Sequence, residues 1–535
     1  MKSALFLLLF LSIGPLSKTA AQVIGPNKPE LYGGSKEDVF LSIDSTFDGG
    51  FIAVGYTWST DFDATTSSGS SDMFIVKVNS GNTVDWKKTY GGSGFETAFA
   101  VRQTLDSGYL VAGDTYFSSN SGDVGLSKGA IDAWVLKLDK LGNITWKRSY
   151  GGSESDGFAA LQLATDGFIA VGYTASNNGD VTQNQGGDSD GWVVRCNADG
   201  SIKWQKTFGG SKRDEFTSVV KVNSDWVVCG FTLSTDGDIA QQRGFGDAWV
   251  LRLNDTNGAA IWQKTYGGSD SDLFLSVKTQ RIQTTDYVLL AGASLSNNGD
   301  VSGNKGKSDG WLARLDAVDG SVNWSKLYGG TADERLNDVI FDKDKTTILA
   351  VGYTESTDGD ATGTFSTFGG GDAWLLRTKL DGNFEVGRRI GGTLKDVAFG
   401  VMQIKTKYDG YYVVGSTKST DGYLNGIINR GGASDACLFR PVTISTTKEI
   451  ASFSDLNIKL SPNPTSDNVW LDLKQTPSVP DLFSITNVFG QVVLTAKISD
   501  LNFPISTKNL SNGLYFLTIE KENQILGSQK LVVQH

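Results

Sequence analysis

WKKTYGG (Trp86–Gly92) is met again as WKRSYGG from Trp146, WQKTFGG from Trp204, WQKTYGG from Trp262 and WSKLYGG from Trp324, with 58 to 62 residues between successive starts. A copy without tryptophan ends on Gly391 and Gly392, and a truncated LYGG stands at Leu31–Gly34, so the Gly-Gly pair occurs seven times. A second motif keeps step with the first: DMFIVKV from Asp72, DAWVLKL from Asp132, DGWVVRC from Asp190, DAWVLRL from Asp247, DGWLARL from Asp309, DAWLLRT from Asp372 and DACLFRP from Asp435. Self-similarity at a fixed period is the signature of a repeat architecture, and it outranks the reading of any single segment.

Each period holds four strand-like runs, as in FAALQL (158–163), GFIAVGYT (167–174), GWVVRC (191–196) and SIKWQKTF (201–208). Four strands repeated seven times predict an all-β chain built as a seven-bladed β-propeller. Ten of the thirteen tryptophans belong to the two motifs, a regularity that points to packing between blades. The period is longer than the ~40–50 residues of common propeller repeats. It resembles the Gly/Trp-rich propeller repeats of secreted bacterial proteins over residues 30 to 440, a likeness that implies fold without naming a ligand. The last period runs out after its third strand, whereas PELYGG (Pro29–Gly34) is a fourth-strand ending with nothing before it. An N-terminal strand at 29–34 is therefore expected to close the last blade; Val442 to Thr447 is the alternative.

The 535 residues include 65 glycines and 9 prolines and are 39% hydrophobic, which excludes wholesale disorder. The one histidine, His535, is the last residue, so imidazole chemistry is absent from the body of the chain. Three cysteines (Cys196, Cys229, Cys437) exclude a disulfide framework and a Cys-rich zinc site. They read as buried thiols, with a Cys196–Cys229 disulfide as the alternative. A net charge of −11 argues against nucleic acid as a partner, since phosphate neutralisation needs a basic surface. Residues 1–21, Lys2 followed by an apolar run and small residues, read as a secretory signal peptide, and no later window is apolar enough to span a bilayer. Residues 22–440 are then the propeller, expected to be monomeric, and 441–455 a Ser/Thr-rich linker.

Residues 456–535 alternate in short strands separated by turns, predicting a small β-sandwich. LSPNPTSD (460–467), VFGQVV (488–493), LSNGLYFLTI (510–519) and QKLVV (529–533) resemble the C-terminal sorting domain of type IX secretion substrates. The resemblance implies export by the type IX machinery of a Gram-negative cell, to be released or held on the outer surface. It assigns the sorting motif to Pro462, Asn463, Pro464, Gly490, Gly513, Tyr515 and Lys530.

Strand parity places the Gly-Gly loops and the long second-to-third-strand loops on one face of the propeller, the surface expected to carry function. A carboxylate follows each Gly-Gly pair by four residues: Asp38, Glu96, Asp156, Asp214, Asp272, Glu334 and Asp396. The long loops add Asp63, Asp123, Asp180, Asp238, Asp300 and Asp360, with Tyr423 in the seventh place. Calcium is one reading of these oxygens. The alternative is that they bond backbone N–H groups of their own turns in every blade, with no cofactor. Residues that differ between blades are better ligand candidates, namely Trp58, Phe117, Arg243, Phe245 and Phe368, alongside the loop cations Lys128, Lys305, Lys307 and Arg430. The expected function is recognition or adhesion, binding a glycan or a protein at this face. A polysaccharide lyase or hydrolase, using a Tyr/Arg/Glu site because no histidine is at hand, is the enzymatic alternative, and a purely structural surface component the third.

Overall fold

The computed structural model describes residues 29–535 apart from 68, 117–120, 343–345, 362–368, 404–409, 425–429, 431–432, 443–457, 474–481, 488–491, 499–501 and 522–523. Two compact units, residues 1–444 and 445–535, make up the chain. The first is a seven-bladed β-propeller of four-stranded antiparallel sheets. Blade 1 runs Asp38–Ser45, Phe51–Thr57, Asp72–Val78 and Val84–Tyr90, and blades 2 to 6 repeat that order from Phe95, Asp156, Asp214, Asp272 and Glu334. Blade 7 takes three strands from the end of the unit, Asp396–Gln403, Tyr411–Thr417 and Asp435–Val442. Its fourth is Glu30–Tyr32, with Glu30, Leu31 and Tyr32 opposite Leu438, Cys437 and Ala436. The ring is thus closed by the N-terminal strand, and an exposed sheet edge is avoided. Pro441 and Val442, read above as linker, instead continue the last strand, Val442 pairing with Tyr411.

The first strands touch one another around the ring and line a channel; the fourth strands lie outermost, where every second residue is exposed. The third strands are buried on both sides because each blade is packed between two others. Their tryptophans stack on first-strand phenylalanines of the same blade, Trp192 on Phe158 at 5.2 Å, Trp249 on Phe216 at 5.1 Å and Trp311 on Phe274 at 4.2 Å. The fourth-strand motif stitches blade to blade. Trp86 Nε1 donates to the Lys140 carbonyl at 3.2 Å and Tyr90 Oη to the Gly142 carbonyl at 2.5 Å, both in the last turn of the next blade. Trp204 and Trp262 make the same reach, as do Tyr150 and Tyr266. A residue type repeated in all these blades therefore answers to a contact repeated in all of them.

Cys196, Cys229 and Cys437 are buried free thiols. Burial pushes the Cys196 and Cys229 thiols up to about 12, so neither ionises at neutral pH. The second unit packs a four-stranded sheet and a three-stranded sheet around Val469, Ile485, Leu517 and Leu531. Among the described residues no helix is long and apolar enough to cross a membrane.

Candidate functional site at the mouth of the channel

The carboxylates that follow the Gly-Gly pairs are consumed by the blade itself. In every blade the N–H of the second glycine donates to this carboxylate at 2.7–2.9 Å. A hydroxyl at the end of the second strand bonds its other oxygen, as Thr115 does to Glu96 at 3.0 Å and Thr354 to Glu334 at 2.8 Å. A serine two residues further on donates as well, Ser176 to Asp156 and Ser296 to Asp272, both at 2.8 Å. The first glycine must lack a side chain: at Gly151 (φ +133°) a Cβ would lie 2.2 Å from Asp156 Oδ2. The long-loop residues Asp63, Asp123, Asp180, Asp238, Asp300, Asp360 and Tyr423 all donate their own N–H to the carbonyl of that glycine. Among the described residues no group of three or more His, Cys, Asp or Glu side chains is placed to hold a metal ion.

Four of the five loop cations, all but Lys307, share one equivalent position that their spacing disguised. Lys128, Arg243, Lys305 and Arg430 stand four or five residues before the third-strand aspartate, and their N–H groups donate to it. Their side chains reach the long-loop carboxylate of the following blade: Lys128 to Asp180, Arg243 to Asp300, Lys305 to Asp360 and Arg430 to Asp63. Arg243 is thus engaged in a clasp between blades. Phe245 in the same loop is 79% exposed. Phe117, Phe368 and Gly490 lie outside the described residues.

Variation between blades is concentrated where the first strand begins and the second ends, around the channel mouth on the long-loop face. The residue just before the second-strand hydroxyl that bonds the junction carboxylate is Tyr56, Asp114, Tyr173, Phe231, Ala293, Tyr353 and Ser416 in blades 1 to 7. Three depressions meet there. One, of about 390 Å³, is an aromatic shelf of Tyr56, Trp58, Phe95 and Tyr116. Trp58 is 40% exposed and its ring centroid lies 5.5 Å from that of Phe95. The second, of about 500 Å³, shares Tyr116 and adds Asp114, Tyr173, Arg213 and Glu215. The third, of about 280 Å³, shares Glu37 and Tyr56 with the shelf and adds Arg335, Tyr353, Lys395 and Lys418. Beneath them the channel holds about 640 Å³ and is crossed by polar contacts, among them Lys278 to Asp338 at 3.0 Å and Arg102 to Gln162 at 2.8 Å.

Asp114 departs most sharply from its counterparts, which are aromatic or small. It is 3% exposed, and its Oδ1 has no hydrogen-bond partner. Burial first, and the charge of Glu96 second, push its carboxyl up to about 8, so it holds its proton at neutral pH. Tyr116 and Tyr173 beside it share a hydrogen bond, and Arg213 pairs with Glu215 at 2.6 Å while lying 5.6 Å from the Phe231 ring. Trp58 was legible as a loop aromatic without a counterpart in most blades. Tyr56, Asp114, Tyr116 and Tyr173 sit inside regular strands and Glu37, Arg213, Lys395 and Lys418 just beyond strand ends, and their convergence shows only when the blades are aligned through their pairing register.

In the second unit, Asn463 ties the segment after the first strand, residues 462–465, to the last strand. Its Nδ2 donates to the Lys530 carbonyl at 2.7 Å and its Oδ1 accepts from Val532 N–H at 2.8 Å. Pro462 and Pro464 flank it, both following cis peptide bonds. Tyr515 is buried, with Oη on the Ser511 carbonyl at 2.9 Å, while the Lys530 side chain is exposed and a Cβ at Gly513 would lie in ordinary contact, 3.6 Å from the Tyr515 ring. Residues 459–534 match the family of the secretion system C-terminal sorting domain.

The tail is a type IX sorting domain.

A protein that carries it is exported, and is secreted or attached to the cell surface. The chain is also 24% identical over 319 residues to the regulatory protein FlaEY of Caulobacter vibrioides, an alignment covering 53% of this chain and 33% of that protein. This chain therefore spans about a third of that relative's length. Among solved structures, it is similar to the quinohemoprotein alcohol dehydrogenase ADHIIG of Pseudomonas putida at TM-score 0.34 and 11% identity, covering 77% of this chain and 75% of that one. It is also similar to Sqt1 of Chaetomium thermophilum at TM-score 0.35 and 11% identity, covering 76% of this chain and 99% of that one.

Proposed function

We propose that the exported propeller is a recognition module that binds a glycan across the channel mouth on its long-loop face. The observation that carries this reading is the arc of Tyr56, Trp58, Phe95 and Tyr116, rings gathered from blades 1 and 2, of which Trp58, Phe95 and Tyr116 hold positions that are non-aromatic in blades 3 to 7. Flat apolar faces edged by phenolic hydroxyls suit sugar rings, which offer C–H faces for stacking and hydroxyls for hydrogen bonds. The sorting domain supports the setting, because it delivers the propeller to where extracellular polymers are met. The test is the purified full chain on a glycan array, in calcium and in EDTA. Selective binding that weakens at least tenfold in Trp58→Ala and in Tyr116→Ala is expected, and a blank array sinks the reading in favour of a protein partner or a scaffold.

A catalytic reading has one observation in its favour. Asp114 is a buried acid that keeps its proton at neutral pH, the state a general acid needs, and Glu215 supplies a second carboxyl to the same depression. Chain cleavage of plant or algal polysaccharides that disappears in Asp114→Asn would move the protein from binder to enzyme.

A further inference from the structure

We infer that the third depression of the mouth, between blades 6, 7 and 1, is an anion subsite formed by Arg335, Lys395 and Lys418, and that the glycan it helps to hold carries carboxylate or sulfate groups. This deepens the glycan reading and rests on it. The first argument is charge. The loop cations Lys128, Arg243, Lys305 and Arg430 are each satisfied by a carboxylate of the next blade. Among the described residues no ion pair reaches Arg335, Lys395 or Lys418, although the chain as a whole carries a net charge of −11. Three cations left around one concavity repel one another, a cost that an incoming anion removes.

The second argument is geometry. Lys418 N–H donates to the Lys395 carbonyl at 3.0 Å, which sets the two lysines side by side on blade 7. Across from them the Tyr353 ring carries the Arg335 guanidinium at 5.4 Å and the Lys395 ammonium at 5.2 Å from its centre. Stacking on a ring holds a cation in place while leaving its N–H donors free, and Arg335 Nε is buried without a hydrogen-bond partner. Ser416 and Ser434 complete the lining, and the one carboxylate there, Glu37, accepts the Tyr56 hydroxyl at 2.7 Å.

The third argument is continuity. Glu37 and Tyr56 belong both to this depression and to the aromatic shelf, so a ring stacked on Trp58 places its next residue over the cations. No other blade has cations at both of the positions of Lys395 and Lys418, which are Glu37 and Trp58 in blade 1, Ser155 and Ala175 in blade 3, and Ser271 and Leu295 in blade 5.

The test titrates the full chain calorimetrically with galacturonate oligomers and with their methyl esters, which keep the sugar and remove the charge. Sulfated galactan oligomers and their desulfated forms provide a second arm that separates sulfate from carboxylate. At least one acidic oligomer is expected to bind tenfold or more tightly than its neutral form, with affinity falling as salt rises. The exposed-site double variant Lys395→Glu/Lys418→Glu should lose at least tenfold toward the acidic form only, and Arg335→Gln should lose part of the same increment. Trp58→Ala should weaken both forms. Equal affinity for charged and neutral forms, or an unchanged double variant, overturns the anion subsite while leaving the glycan reading intact. Binding that depends on the lysines and ignores Trp58 overturns the aromatic shelf instead, and no binding of any oligomer overturns both.

Discussion

The carboxylates at the blade junctions and those at the channel mouth have the same chemistry and opposite meanings. Asp156 and its six counterparts recur in every blade, and each sits in a cage of one glycine N–H and nearby hydroxyls that the same blade supplies. Asp114 occurs once, faces no donor at Oδ1, and stands in a depression open to the surface. In a repeat protein a group present in every unit answers a need of every unit, whereas a group that breaks the repeat answers a need of the whole ring. Function is therefore sought where the repeat is broken.

The largest expected effect comes from opening a junction. Asp156→Ala strands the Gly152 N–H and two hydroxyls in a buried site, and should cost on the order of 3 kcal/mol or more in urea unfolding. Glycan binding by the folded variant should be unchanged; a loss of binding at full stability would erase the distinction between junction and mouth.

A pH effect comes next. Burial raises Asp190 and Asp372 to about 7 and Asp309 and Asp435 to about 6, in addition to Asp114 at about 8. With folded values above the unfolded ones, the native state binds more protons. Its extra stability is full below the ordinary carboxylate range and is lost as pH rises through 6 to 8. Thermal unfolding should therefore show the propeller more stable at pH 5 than at pH 8.5. Asp114→Asn should remove the part of that slope nearest pH 8, and a flat profile between pH 5 and 8.5 would show that these groups are ionised in the fold.

Smaller still is Tyr90→Phe, which removes one hydroxyl bond to the next blade and should cost about 1 kcal/mol in the same unfolding experiment. The smallest effect is expected for Arg243→Ala. This clasp to Asp300 is partly exposed, so its loss should cost about 0.5 kcal/mol or less and leave glycan affinity unchanged. A tenfold fall in affinity there would return Arg243 to the binding surface.

The fold was legible because it is written seven times. Trp192, Tyr150 and Gly151 serve local and nearest-neighbour contacts, and such contacts impose the same residue at the same spacing in each blade. The ring closure was legible for the same reason, since Leu31–Gly34 is a fourth-strand ending and the last blade lacks one. Trp58 could be found from sequence as an aromatic without a counterpart in most blades. Arg243 stands out in the sequence as a ligand candidate, and its ion pair is not legible there because its partner, Asp300, lies 57 residues ahead in another blade. Arg335 and Tyr353 passed as ordinary strand residues.

By itself the sequence determined the repeat, the blade count, the closing strand and the sorting tail, all of which rest on motifs recurring along the chain or matched in order. The tertiary structure alone decided which variable residues meet. Glu37, Tyr116 and Lys395 come from blades 1, 2 and 7, far apart in the chain, and converge because closing the ring turns the starts of all first strands toward one axis. No period in a linear sequence records which side chains a circle brings to its centre.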